Sequence, residues 1–448
     1  MLGNLDFCCK SACLPSSPQV PQSLAMAVGR QSGLKCGAET STVSSVAGIQ
    51  NALLAAQPND VIKVSPGSYD IGTVTIPPSA SLCAEPETVD LIGTSRVLMR
   101  QGSTLEGFVF REGWNEGDYT FGNGSVEVER ENACVSQCHW ITYGVNEGSF
   151  GRAISIFPSA INAEVLNCEF EDMWGISIFV VQDLLVNVVT NAHIHHNYYH
   201  NNPSRTYDSG ISNAGGEALV DGIAFSDGHM DPAQLNDNLS TLFEYNRLDD
   251  HWAEGELISD KSEGGVYRYN YFSNCRNGHI NNRMSLGSLI YGNWMENATD
   301  RGGRVSGRNN YWVYNYFGSQ NNDTAFLLHH EQLDGSQPNL THAYWAAEDN
   351  IFAKNILDGF TSMSAGIAPG TIVSDPKRNL FDSNVLRGST TPPLYDPRTI
   401  SESAFLSQGN EFKRNQVLDS STCDFFQIGG AYPLPGGESL ALPFWWEF

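Results

Sequence analysis

One short phrase returns along the chain, and its spacing limits what the chain can fold into. It reads VLNCEF (165–170), IHHNYY (194–199), FEYNRL (243–248), YRYNYF (267–272), IYGNWM (290–295), WVYNYF (312–317), FAKNIL (352–357), FDSNVL (381–386) and FKRNQV (412–417). The shared core is an asparagine in an aliphatic or aromatic frame, at Asn167, Asn197, Asn246, Asn270, Asn293, Asn315, Asn355, Asn384 and Asn415. The central gaps, 246 to 270 to 293 to 315, are 24, 23 and 22 residues, and the others run from 29 to 49. The longer gaps read as one coil with an insertion, or as two coils. A short β-rich unit of this length cannot bury its inner face alone, whereas stacked units share one core. The expected fold is therefore all-β, a single-domain right-handed parallel β-helix. Asparagine at each corner is expected to accept the left-handed bend and to hydrogen-bond the asparagine one coil above and below.

That period overrides the size prior. A chain of 448 residues would otherwise suggest about three domains of ~150 residues. The expected organisation is a loosely ordered leader (1–40), a β-helix catalytic domain (41–425) and a tail (426–448) packed on the last coils. In TVSSVAGIQNALLAAQPND (42–60), Ser44 or Ser45 can cap a helix and Pro58 can stop it, so an N-terminal helix should close the open end of the solenoid. Composition excludes several function classes. With 50 acidic and 25 basic residues the formal charge is −25, the reverse of what phosphate neutralisation needs, so nucleic acid is excluded as a partner. No run of about 18 apolar residues is present, which argues against a membrane-spanning helix. The ten cysteines contain no paired CxxC of zinc spacing, and Cys168 and Cys275 read as core thiols.

The scarce cations are not spread evenly. Lys261, Arg268, Arg276, Arg283, Arg301, Arg304 and Arg308 place seven of the 25 within positions 261–308. Lys261 to Arg283 is 22 residues and Arg283 to Arg304 is 21, close to one coil each. These three should stack as a cationic ladder suited to a polyanionic chain lying along the solenoid; unrelated surface cations paired with carboxylates are the plainer reading. Just before them, Glu254 and Glu256 are two residues apart, so a strand would point both to one face. Paired hard carboxylates of this kind favour Ca²⁺, although on an acidic chain a solvated face is the plainer alternative. His193 and His195 alternate in the same way, and structural stacking is favoured over a metal pair.

With these residues in view, the chain resembles polysaccharide lyase family 6, which contains alginate lyases and chondroitinase B. The resemblance spans about 45–390. It rests on GRAISIFPSAINAEVLNCEFED (151–172), NAGGEALVDG (213–222) and above all FEYNRLDDHWAEGELISDKSEGGVYRYNYFSNC (243–275). It implies Ca²⁺ held by Glu254, Glu256 and, in SNAGGE, Asn213. It further implies Lys261 as general base, Arg283 as general acid and Arg304, in GGRVSG, as a substrate-binding residue. Arg283 is followed by Met284 and Ser285 where the family often has His-Gly, which leaves His279 as a possible stand-in. The implied reaction is Ca-assisted β-elimination on a uronate polyanion, alginate first, leaving 4,5-unsaturated ends. The implied setting is secreted or periplasmic, and oligomeric state is left open. The alternatives are a lyase for dermatan or chondroitin sulfate, a β-helix hydrolase or epimerase using Asp249 and Asp250, and a non-catalytic carbohydrate-binding solenoid.

Overall fold

The computed structural model describes residues 37–111, 124–141, 152–173, 175–182, 190–202, 218–223, 240–251, 256–276, 278–298, 301–320, 323–333, 342–367, 371–388, 393–397, 400–419, 432–433 and 439–440. Most of the leader and tail lie outside them, as do Asn213 and Glu254. Each coil lays one strand in each of three parallel sheets, which hold 14, 12 and 13 strands among the described residues. Neighbours within a sheet are successive coils, so the chain winds as a right-handed parallel β-helix. The expected cap is there. The helix Val46–Ala55 starts at Ser45, whose Oγ accepts from the Gly48 amide at 3.1 Å, and it buries Ile49 and Leu53 against the first coil.

Strand alternation fills the interior with apolar side chains, and rings stack from coil to coil. Phe110, Trp140, Phe170 and Tyr199 form one such column with centroids 4.8, 5.0 and 4.8 Å apart. Phe352, Phe381 and Phe412 form a separate column on the 14-stranded sheet, at 4.5 and 4.9 Å. Cys134, Cys138, Cys168 and Cys275 are buried.

The asparagine ladder runs from Asn197 to Asn415. At each step Oδ1 of one asparagine accepts from both the amide N–H and the Nδ2 of the asparagine one coil earlier, as Asn270 does for Asn246 at 2.9 and 3.1 Å. Two expectations need correction. Asn167 is not in the ladder, because Cys168 occupies that position and its amide donates to Asn197 Oδ1 at 2.9 Å. Nor does the ladder asparagine take the bend. The preceding residue does: φ is positive at His196, Tyr245, Tyr269, Gly292, Tyr314, Lys354, Ser383 and Arg414. The left-handed residue turns the chain, and the next residue points its amide inward where four hydrogen bonds hold it. Those bonds offset the strain of a non-glycine residue at positive φ. A second ladder, Asn310, Asn350, Asn379 and Asn410, stands five residues earlier in the last coils, with Nδ2 of Asn350 and Asn379 each donating to the next Oδ1 at 2.9 and 2.8 Å.

Candidate functional site

Glu256, Lys261, Arg283 and Arg304 share the outer face of the 12-stranded sheet. The strands Glu256–Lys261, His279–Asn282 and Gly303–Val305 are consecutive there. Ile258, Ile280 and Gly303 are in register and face the core, so Ser259, Asn281 and Arg304 are in register on the outside. Two adjacent glycines direct Arg304 outward. A Cβ on Gly302 would lie 2.8 Å from the Phe317 ring, and one on Gly303 would lie 2.5 Å from Trp312. Lys261 and Arg283 each lie one residue beyond the register pair Asp260–Asn282, and the Arg283 amide donates to Asp260 O at 2.7 Å. They are therefore one above the other, as expected. Arg304 is not in their column, since it pairs with Asn281. The coil here takes 23 residues rather than 21, so the arginine falls two positions short. Two positions preserve the face, and the three cations form a diagonal rather than a vertical strip.

Glu256 begins its strand just before a register shift between Glu256 and Ile258; bulges of this kind re-aim side chains. Its Oε1 accepts from Asn281 Nδ2 at 2.5 Å and lies 3.9 Å from Arg283 Nη1. Burial alone would raise its pKa. The charges of Arg283, Lys261 and Arg304, with a hydrogen bond from Ser259, outweigh burial and hold the carboxyl down at about 2. All three cations named from the sequence thus act on one buried carboxylate. Its presumed partners in metal binding, Glu254 and Asn213, lie outside the described residues. His279 is the register partner of Glu256 and shares the outer face with Asn281.

Two features of the site were not foreseen. His329, in the strand Thr324–His329, accepts from Arg304 Nε at its own Nε2, 2.5 Å away. Burial first, then Arg304, Arg283 and Arg301, push this imidazole well below its usual pKa, so it is neutral and can accept. Behind Lys261, inside the solenoid, the register neighbours Asp221 and Asp260 are both buried. Asp221 Oδ2 accepts from Tyr267 at 2.6 Å and Ser262 at 3.2 Å, and Oδ1 from Thr241 at 2.9 Å. Burial and the charge of Asp260 push Asp221 up to about 7 against those hydrogen bonds. Burial also raises Asp260. The sequence signal for this pair was weak, because which face Asp260 takes depends on the bulge beside Glu256.

His193 and His195 lie elsewhere, on the 14-stranded sheet. Their rings stack at 4.0 Å, and each meets a carboxylate: His193 with Glu244 at 2.9 Å, His195 with Glu164 at 3.0 Å. Together with Glu164 they also form one of the acidic and histidine groups compact enough to hold a metal ion. Asp249 and Asp250 belong to the strand Arg247–His251 of the 13-stranded sheet, away from the cationic face, and Asp249 is hydrogen-bonded by Arg247 at 2.5 Å.

No protein-family model and no curated protein matches the sequence. Solved structures match the architecture. One is a PL6 alginate lyase in complex with a trisaccharide: 17% identity, TM-score 0.63, covering 89% of this chain and 91% of that one. The chain folds as the family 6 polysaccharide lyases do. A second match is a mannuronic acid-specific family 6 lyase from human gut microbiota, at 19% identity and TM-score 0.64, covering 83% and 86%. The catalytic unit of a GH87 α-1,3-glucanase from Streptomyces thermodiastaticus also matches, at 13% identity and TM-score 0.51, covering 88% and 71%. One solenoid therefore carries more than one chemistry, and the choice between them rests on the residues of the site. No helix among the described residues is long and apolar enough to cross a membrane.

Proposed function

We propose that this chain is an enzyme of the polysaccharide lyase family 6 type, cleaving a uronate-containing polyanion, alginate foremost, by β-elimination. The observation that carries the reading is the gathering of Lys261, Arg283 and Arg304 around the buried carboxylate of Glu256. A hydrolase of this shape would need two or more close acids beside the groove, whereas Asp221 and Asp260 face the core and Asp249 and Asp250 lie on another sheet.

The residues fit the Ca²⁺ that the family resemblance implies. Glu256 is an ionised hard oxygen donor at any working pH. Beside it, the Oδ1 of Asn281 is buried without a hydrogen-bond partner, while Nδ2 of the same side chain steadies Glu256. Glu256, Glu254 and Asn213 would hold the ion. A bound Ca²⁺ would supply neutralisation of the substrate carboxylate, which makes the adjacent C–H more acidic. Lys261, as the neutral amine, takes the proton from C5; the charge of Arg283 disfavours the ammonium that Glu256 favours, and a Ca²⁺ held by Glu256 would cancel that carboxylate's pull. The C5–H electron pair becomes the C4–C5 double bond, and the C4–O bond breaks. The departing oxygen takes its proton from the Arg283 guanidinium, which water reprotonates. Arginine is a weak acid, so its larger part is to stabilise the negative charge on that oxygen. Arg304 orients a substrate carboxylate, and His329 fixes its guanidinium through Nε.

The test is incubation with alginate, dermatan sulfate and pectate while ultraviolet absorbance reports unsaturated uronate ends. Absorbance should rise with alginate and stay flat for Lys261→Ala or after Ca²⁺ chelation. A flat trace on all three polymers, or full activity of Lys261→Ala, overturns the proposal. A secreted or periplasmic setting agrees with a polymer substrate of this size.

A further inference from the structure

The outer face of the 13-stranded sheet carries a side-chain cluster that the proposed reaction does not use. The strands His139–Ile141, Glu169–Glu171 and Tyr198–Asn202 are consecutive there. His139 is in register with Glu169, and Glu171 with His200. Residues two apart on a strand share a face, so the two histidines stand at opposite corners of a patch with both glutamates between them.

The donor atoms converge. His139 Nε2 is 3.5 Å from Glu171 Oε2 and 3.9 Å from Glu169 Oε1, and His200 Nε2 is 2.8 Å from the same Glu169 oxygen. His139 is only 7% exposed, and its Nε2 is sealed from solvent without a hydrogen bond. A buried polar atom left in that state is costly. Its other nitrogen explains the state. Nδ1 lies 3.1 Å from Glu87 Oε1, and an ionised carboxylate can only accept. Nδ1 therefore carries a proton towards Glu87, and Nε2 faces two carboxylates at 3.5 and 3.9 Å. That arrangement calls for positive charge among the three groups, supplied by a proton on Nε2 or by a metal ion that replaces it. A carboxylate behind a ligating histidine is also the usual way its tautomer is set.

We propose that His139, His200, Glu169 and Glu171 form a metal site that takes Zn²⁺ or a similar late first-row divalent ion and clasps three successive coils. Four donors at about 2.0–2.1 Å from a tetrahedral ion lie about 3.3 Å from one another; Glu169, Glu171 and His200 already form one compact group and His139 shares Glu169 in a second, so the two histidines would close on the ion as it binds. Two imidazoles with two carboxylates suit such an ion, whereas Ca²⁺ takes oxygen ligands alone. The site stands on a different sheet from Lys261, so its role is to hold coils in register.

The test uses the full chain, stripped with a chelator and titrated with Zn²⁺ alone, then with Co²⁺ alone. Zn²⁺ should bind near one per chain at this patch and raise the melting temperature, and Co²⁺ should give the intense visible bands of a tetrahedral centre. His139→Ala with His200→Ala should abolish the Co²⁺ bands. His193→Asn with His195→Asn, which alters the histidine pair on the 14-stranded sheet, should leave them intact. Glu87→Gln keeps the fold and every ligand, and should weaken Zn²⁺ by about 10–100-fold. The proposal is overturned if Zn²⁺ does not bind, if the double alanine variant binds it as well as the parent, or if Glu87→Gln leaves the affinity unchanged.

Discussion

Glu256→Gln separates the electrostatics of the site from its chemistry. The carboxyl titrates at about 2 in the folded chain against an ordinary 4.5, because Arg283, Lys261 and Arg304 outweigh its burial. A depressed carboxyl contributes stability that is complete above its unfolded pKa and is lost as pH falls through the folded one. At pH 7 the difference corresponds to about 3 kcal/mol, since each pH unit is worth 1.36 kcal/mol. At pH 3 the unfolded chain is already protonated while the folded one is not, and about 1 kcal/mol remains. Glutamine keeps the shape and removes the negative charge that all three cations act on. Urea unfolding of parent and variant at both pH values should show a stability gap of about 3 kcal/mol at pH 7 that shrinks to about 1 at pH 3. Lyase activity should disappear at pH 7 in the same preparation. A gap that is absent, or equal at the two pH values, would refute the account of how these charges are grouped.

Two further outcomes follow from the interior. Asn270→Ala removes four hydrogen bonds, to Asn246 N–H, Asn246 Nδ2, Phe243 O and Asn293 Oδ1, and at about 1 kcal/mol each should cost about 4 kcal/mol. Asn167→Ala, outside the ladder, should cost about 1 kcal/mol for an alanine at positive φ; equal losses of melting temperature would show that the ladder is not the stabilising element. Asp221 holds a proton up to about pH 7 when folded but ordinarily loses it near 3.8, so the folded chain binds more protons in between and is destabilised as pH rises through that window. Asp221→Asn should therefore raise the melting temperature more at pH 8 than at pH 5, and an equal effect at both would contradict the buried pair.

How much of this could be read in advance follows from what a period can and cannot encode. The ladder from Asn197 onward, the cap at Ser45 and the shared face of Lys261 and Arg283 all depend on coil length alone. Asn167 misled because the left-handed corner accepts asparagine and the ladder accepts cysteine, so the phrase looked in register while shifted by one. Arg304 misled because a 21-residue spacing was laid on a 23-residue coil. The second ladder was legible, as an asparagine five residues before Asn315, Asn355, Asn384 and Asn415. His329 and the Asp221–Asp260 pair were not, because both depend on a bulge and on insertions that leave no periodic trace.

The diagonal of cations gives the groove a scale. Successive strands of a sheet stand about 4.8 Å apart, so Lys261, Arg283 and Arg304 occupy three consecutive graduations, and the outer two are separated by about 10 Å along the axis. A polymer lying on this face meets a new row of side chains at every graduation, and alternation along each strand lets any row change without disturbing the packing behind it. The solenoid is in this sense a ruler whose marks can be rewritten one at a time.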